Sequence, residues 1–366
     1  MSAAQGLMIL AGGTGGHVFP ALAVAKALAA QEVAVRWMGT EQGLEAQVVP
    51  EHGIEIDWIR VQGMRGKGLL TYLATPFRLL NAVWQAIRLL SQHRPKAVLG
   101  MGGFVAGPGG IAAFLLRIPM IIHEQNAVAG LTNRWLSPMA ARVLSGFDCP
   151  AHLPARTQWV GNPVRADIEQ VGQQPAPNYG ADQVRCLIVG GSQGAHSLNQ
   201  HMASVMAQCA LALESQGRTL TVLHQAGRGR AQATQASYEA HPAVNVDVVE
   251  FIENMATALK DAHLVVCRAG AMTIAELSAA GRASVLVPYP HSAGDHQDHN
   301  AHALRAAGGA VVIQNSALSA PETHQTISDL LSDPSHLDRM GRAARSNHRP
   351  DALQRVVDVC QEVLNA

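Results

Sequence analysis

The chain has 366 residues, enough for two domains of ordinary size, and its 48% apolar content with only 15% charged residues excludes a disordered polymer. Its 27 basic residues balance 27 acidic ones, so the bulk charge does not suit a nucleic-acid binder. The five cysteines (Cys149, Cys186, Cys209, Cys267 and Cys360) are odd in number, scattered and without a Cys-x-x-Cys pair, which fits reduced thiols in the cytosol. No basic stretch or small-residue cleavage site opens the chain, so no secretory signal is expected, and no apolar run reaches the ~18–20 residues of a membrane span.

Leu7-Met8-Ile9-Leu10 predicts a buried first strand, and the Ala-rich residues 18–30 predict a helix. Between them, Gly12-Gly13-Thr14-Gly15-Gly16-His17 places four glycines in five positions at a helix start. Glycine lets a ligand approach the main chain, and a helix N-terminus offers N–H groups to phosphate or pyrophosphate. His17 stands at the mouth of that anion site as a candidate proton acceptor; the alternative is a tight turn with an incidental histidine. Val18 occupies the place of a third glycine in Gly-x-Gly-x-x-Gly and no Gly-Lys-Ser/Thr follows, which argues against a nicotinamide or ATP loop.

Strands at 33–38, 97–99 and 119–122 alternate with helical stretches, the pattern of βαβ units in a parallel sheet whose ligands bind beyond the carboxyl ends of the strands. A second glycine-rich turn at 100–110 and the polar cluster His123-Glu124-Gln125-Asn126 fall at such ends and are read as lining a pocket. Thr75-Pro76 reads as a helix start. From it run two apolar stripes, Phe77/Leu80/Trp84/Ile87 and Leu79/Val83/Ala86/Leu90, wider than one sheet face needs. Either both pack into a core, or part of this surface, with Leu69-Leu70-Thr71-Tyr72-Leu73 and Arg65, Lys67, Arg78 and Arg88 around it, rests on an anionic leaflet.

Residues 171–182, rich in Gln, Pro and Gly, read as a linker, after which the pattern restarts. A strand at 186–189, a glycine loop Gly190-Gly191-Ser192-Gln193-Gly194-Ala195 and a helix from Ser197 repeat the opening device. Strands at 220–224, 244–249, 264–267 and 283–287 follow. The fold class expected is α/β, two doubly wound domains facing across a cleft. After Cys267, a glycine turn again precedes a helix, where Glu276 either accepts two vicinal sugar hydroxyls or closes a capping box with Thr273. His296, His299 and His302 step by three, which does not stack them on one helix face, and no cysteine or carboxylate pair completes a shell, so no metal is expected.

These stretches resemble the MurG family. Gly-Gly-Thr-Gly-Gly-His at 12–17, Gly-Met-Gly-Gly-Phe at 100–104 and His-Glu-Gln-Asn at 123–126 match its amino-terminal half. Gly-Asn-Pro-Val-Arg at 161–165, Gly-Gly-Ser-Gln-Gly-Ala at 190–195 and the run from Cys267 to Glu276 match its carboxyl-terminal half. The resemblance implies a GT-B glycosyltransferase with an acceptor domain at 1–163, completed by a C-terminal helix at 348–366, and a donor domain at 164–347. It implies an inverting transfer, with neither metal nor cofactor, of GlcNAc from UDP-GlcNAc to a lipid-linked MurNAc-pentapeptide. The implied place is peripheral, on the anionic cytoplasmic face of the inner membrane, with no nucleic-acid partner. By position, Thr14, Gly15, Gly16 and Asn126 contact donor and bound phosphates, and Arg165, Ser192, Ile252, Ala271, Met272, Thr273, Ile274, Ala275, Glu276 and Gln297 bind the UDP-sugar. Phe104 stands where many members have Tyr, and His296 precedes Gln297 where some have a Gln pair. The base is His17 or Glu124, and histidine's ordinary pKa favours the former. A UDP-GlcNAc 2-epimerase and a non-catalytic UDP-sugar sensor are the alternative readings.

Overall fold

The computed structural model describes residues 6–61, 69–148, 150–191 and 194–366, with the side chains of 69–75 and 293 excepted. The chain forms two compact units, Met1–Pro163 with Asp351–Ala366, and Val164–Pro350. The first holds β1 (Leu7–Ala11), β2 (Val35–Gly39), β3 (Glu55–Trp58), β4 (Ala97–Gly102), β5 (Met120–Glu124), β6 (Arg142–Ser145) and β7 (Gln158–Trp159) in the order β3-β2-β1-β4-β5-β6-β7. The second holds β8 (Gln183–Val189), β9 (Thr219–Gln225), β10 (Asn245–Val249), β11 (Leu264–Cys267), β12 (Ser284–Leu286) and β13 (Ala310–Val312) in the order β10-β9-β8-β11-β12-β13. Every pairing in both sheets is parallel.

A parallel sheet is covered on both faces, so its central strands must be apolar throughout. β1 obeys this at every position, and alternate side chains enter different cores. Leu7, Ile9 and Ala11 join the helix Gly15–Ala29 and the C-terminal helix Ala352–Asn365, whereas Met8 and Leu10 join the helices Leu69–His93 and Ala106–Leu115. In the C-terminal helix, Val356, Val357, Cys360 and Leu364 form one buried stripe, and each Val or Leu contributes about 1.5–3 kcal/mol on burial. The return to the first unit comes at Asp351 rather than at 348, because His348 is held in the second unit by the Glu169 carboxylate at 2.8 Å.

Residues 171–182 are not a linker. They lie inside the second unit, with Tyr179 buried and the Arg218 guanidinium donating to the carbonyls of Tyr179 and Ala181. The helix Leu69–His93 runs through Pro76 instead of starting there. Pro76 is exposed, so solvent can satisfy the carbonyl its missing N–H leaves behind. The two apolar stripes of this helix divide only in part: Val83, Ala86 and Leu90 are buried and Ile87 half-buried, whereas Phe77, Leu80 and Trp84 are 76%, 66% and 59% exposed and Leu79 is exposed as well. Burial pushes the Cys209, Cys267 and Cys360 thiols up to about 12, so these are inert core residues.

Candidate active site

In each sheet the strand order reverses beside the first strand, between β1 and β4 and between β8 and β11, and doubly wound sheets hold ligands outside the carboxyl ends at such points. In the first unit that position is filled by the turn Gly12–Thr14 after β1 and the turn Gly102–Gly103 at the end of β4. Gly102 has φ +99°, and a Cβ there would stand 2.7 Å from His17 Nδ1. Gly103 has φ +83° and abuts the Gly12 carbonyl. These two glycines let the second turn close on the first; a side chain at either would push them apart.

Thr14 caps the helix Gly15–Ala29 in extended conformation without a side-chain hydrogen bond, so helix geometry leaves the N–H groups of Gly15 and Gly16 without intrahelical partners. The Gly13 N–H is committed elsewhere: it donates to the Glu45 carboxylate at 2.9 Å. That fully buried group also accepts from Thr40 N at 2.9 Å and Thr40 Oγ1 at 2.8 Å. An anion at this loop therefore meets the helix start rather than Gly13.

His17 is oriented by a chain of hydrogen bonds whose directions are fixed at the far end. The buried His123 ring donates from Nε2 to the Gly161 carbonyl at 2.9 Å, so its Nδ1 is an acceptor. Gln125 Nε2 donates to that Nδ1 and to the His123 carbonyl, both at 3.3 Å, which turns Gln125 Oε1 toward His17. His17 Nδ1 then donates to Oε1 at 3.2 Å, and its Nε2 is left carrying the lone pair. Burial pushes the His123 pKa down, which keeps that ring neutral and in this tautomer. Glu124 has a different task. Its carboxylate accepts from Asn126 N at 2.9 Å, Asn126 Nδ2 at 3.0 Å, Gly130 N at 3.0 Å and Asn133 Nδ2 at 2.8 Å, and it is buried. It folds the loop that presents Asn126.

In the second unit, the helix Ala271–Ala280 follows β11 directly and is capped by Gly270. Thr273 lies inside the helix, so the capping box does not form. Glu276 sits in the second turn, with Arg165 Nε 4.0 Å from its carboxylate; Arg165 also lies 3.9 Å from Asp167. Burial pushes the Glu276 carboxyl up to about 7, Arg165 opposing and Asp167 reinforcing the rise. Along this helix Met272, Thr273, Ala275 and Glu276 are half-exposed, while the side chains of Ala271 and Ile274 turn into the core. Ile252 is buried and donates its N–H to Gln225 Oε1 at 3.2 Å. Gln297 uses Oε1 to accept from Tyr289 N at 2.9 Å. Ser192 lies outside the described residues. Among the described residues no three His, Cys, Asp or Glu side chains are placed to share a metal ion.

Residues 7–145 match the glycosyltransferase family 28 N-terminal domain and residues 185–356 its C-terminal domain. A UDP-N-acetylglucosamine--N-acetylmuramyl-(pentapeptide) pyrophosphoryl-undecaprenol N-acetylglucosamine transferase of Alkalilimnicola ehrlichii is 50% identical over 97% of this chain and 98% of its own. The crystal structure of Acinetobacter baumannii MurG superposes with a TM-score of 0.80 at 41% identity, covering 98% of this chain and 99% of that one. The chain belongs to the MurG family. It is accordingly an N-acetylglucosaminyltransferase of GT-B fold. A UDP-GlcNAc 2-epimerase from Neisseria meningitidis also superposes (TM-score 0.63, 97% of this chain and 99% of that one), but at 13% identity that likeness is of fold alone.

Three residues with clear structural work in this MurG-family chain escape the motif reading. Gln125 sits inside the His-Glu-Gln-Asn cluster, yet spacing gives no sign that it alone reaches His17. Glu45 follows no motif, and only the fold brings it beneath the first glycine loop. Arg268 donates to the carbonyls of Val287 and Pro288 at 3.1 Å, to Asn315 Oδ1 at 2.9 Å and to Ser197 Oγ at 2.8 Å, tying the ends of β11 and β12 to the helix His196–Glu214. Arg268 lies in the run from Cys267 to Glu276 and directly after a buried strand, but neither fact shows which groups it joins.

Proposed function

We propose that this chain moves GlcNAc from UDP-GlcNAc, with inversion, to the 4-hydroxyl of MurNAc in undecaprenyl-pyrophosphoryl-MurNAc-pentapeptide, with His17 as general base. The observation that carries the reading is the directed chain from Gly161 through His123 and Gln125, which leaves the His17 Nε2 lone pair free to accept a proton. The acceptor oxygen forms its bond to the anomeric carbon as the bond from that carbon to the UDP phosphate oxygen breaks. The hydroxyl proton passes to His17 Nε2, and the electron pair leaves with UDP. The charge that develops on the pyrophosphate is met in the second unit by Arg165 and the N-terminus of the helix Ala271–Ala280, so the residues supply the stabilisation without a metal. Glu276 grips the ribose hydroxyls. In the first unit, Thr14, Gly15, Gly16 and Asn126 bind phosphate and substrate, and Glu124 acts by holding Asn126. Labelled GlcNAc should pass to the lipid-linked acceptor equally well with EDTA present, and UDP-GlcNAc alone should yield no 2-epimer. Loss of transfer on chelation, restored by Mg²⁺ or Zn²⁺, overturns the metal-free mechanism; an epimer without acceptor overturns the transferase.

The chain works at the anionic inner leaflet, where its acceptor resides. No helix among the described residues is long and apolar enough to cross a membrane. The exposed Phe77, Leu80 and Trp84, with Arg78 and Arg88 on the same helix, form a face suited to lie on one. Arg65 and Lys67 lie outside the described residues. Replacing Phe77, Leu80 and Trp84 with serine is expected to abolish sedimentation with anionic vesicles while leaving the melting temperature unchanged, since these side chains make little of the core. Retained vesicle binding refutes it.

A further inference from the structure

A cavity of about 1010 Å³ opens in the first unit, at the top of the ~300–1,000 Å³ range of organic-ligand pockets. Its lining includes Trp58, Phe104, Ile111, Trp135 and Met139, and Arg60 and Arg78 are the cations that border it. Trp58, Phe104 and Trp135 are 39%, 57% and 72% exposed, large apolar surfaces left open among the described residues. Two of its residues adjoin the anion loop. Thr40 is hydrogen-bonded to the Glu45 carboxylate that holds Gly13, and Phe104 follows Gly103, which abuts Gly12. Leu79 lines the cavity from the helix that carries Phe77, Leu80 and Trp84.

We infer that this cavity takes the isoprenoid segment next to the acceptor's pyrophosphate, an inference that rests on the acceptor reading above. A prenyl pyrophosphate joins its anion to its first isoprene unit through a single ester oxygen. With the pyrophosphate at the start of the helix Gly15–Ala29, the first units must either lie in water or enter the apolar space that begins beside the loop. Burial is favoured in proportion to the apolar area covered. Of the charged residues that line the cavity, Arg60 and Arg78 outnumber Glu41, which suits an anionic ligand, and Leu79 lies on the helix that carries the exposed face, so the rest of the chain can continue along it. The membrane then supplies the tail, and the protein reads its head.

The test is calorimetry of the full chain with geranylgeranyl pyrophosphate and with inorganic pyrophosphate, in the absence of lipid. The prenyl probe should bind about tenfold or more tightly than pyrophosphate, with a negative heat-capacity change from apolar burial. Gly107 lines the cavity from the helix Ala106–Leu115, and a Cβ there meets only Thr132 Cγ2, at 3.7 Å. Gly107→Phe should therefore push a ring into part of the space and cut the preference for the prenyl probe severalfold, with pyrophosphate binding and melting temperature retained, whereas Gly107→Ala should keep the preference. Equal affinity for the two probes overturns the inference, as does a folded Gly107→Phe whose preference for the prenyl probe is undiminished. Prenyl binding seen only when anionic vesicles are added also overturns it, in favour of the membrane surface. The acceptor reading fails separately, by absence of GlcNAc transfer to any lipid-linked acceptor, a result that calorimetry does not need.

Discussion

Replacing His17 with alanine is expected to lower turnover by about 10²–10⁴-fold, the usual cost of losing a general base, while leaving the affinity for UDP unchanged. The separation is expected because the UDP-binding residues proposed above lie mainly in the second unit, whereas His17 belongs to the first. Its Nδ1 is engaged by Gln125, so the ring holds its place through one nitrogen and offers the other. Gln125→Leu provides the companion measurement. It removes the acceptor that sets the tautomer, so turnover should fall by less than in His17→Ala, with the Michaelis constant for UDP-GlcNAc unmoved. Near-parental turnover in His17→Ala would hand the proton to solvent, since the Glu124 carboxylate already accepts four hydrogen bonds. Glu124→Ala should instead show itself in a lowered melting temperature, because Asn126, Gly130 and Asn133 all lose their common partner.

What was legible in the sequence follows from which interactions are local. Short apolar runs gave the central strands of both sheets, because a strand covered on both faces has no choice of composition. Local pattern could not say where the helix Leu69–His93 begins: Thr75-Pro76 has the residues of a helix start, yet the helix begins earlier, at Leu69. Nor could it divide the two stripes. Val83 and Phe77 look alike in sequence, and only packing against the sheet decides that one is buried and the other exposed. The same limit applies to chemistry. Thr273 and Glu276 have the spacing of a capping box, but the helix starts at Ala271, after Gly270, so the spacing falls inside the helix and leaves the carboxylate for other use. Gln125 and Glu45 act through contacts across 108 and 32 residues, which no window reads.

Glu276→Gln is expected to remove the pH dependence of donor binding. In the unliganded protein, burial holds the Glu276 carboxyl up at about 7, against an ordinary carboxylate near 4.5. Sugar hydroxyls donate hydrogen bonds, so the ionised form is the one that grips ribose, and a protonated carboxyl must give up one of its acceptor sites. UDP-GlcNAc affinity should therefore be full above pH 7 and should fall about tenfold between pH 8 and pH 6, as binding comes to require the loss of a proton. Gln keeps one acceptor oxygen but does not titrate, so its affinity should be lower at pH 8, by a factor set by one charged hydrogen bond worth about 1.5–3 kcal/mol, and flat with pH. Stability runs the other way. Between pH 4.5 and 7 the folded chain holds a proton that the unfolded chain has released, so this group's contribution to stability is lost as pH rises through that window. Glu276→Gln should then melt higher than the parent at pH 8 and alike at pH 4.5. A donor affinity that stays level from pH 6 to pH 8 in the parent would remove Glu276 from the ribose, whereas a melting gap without a binding gap would leave it a half-buried carboxylate that the fold merely tolerates.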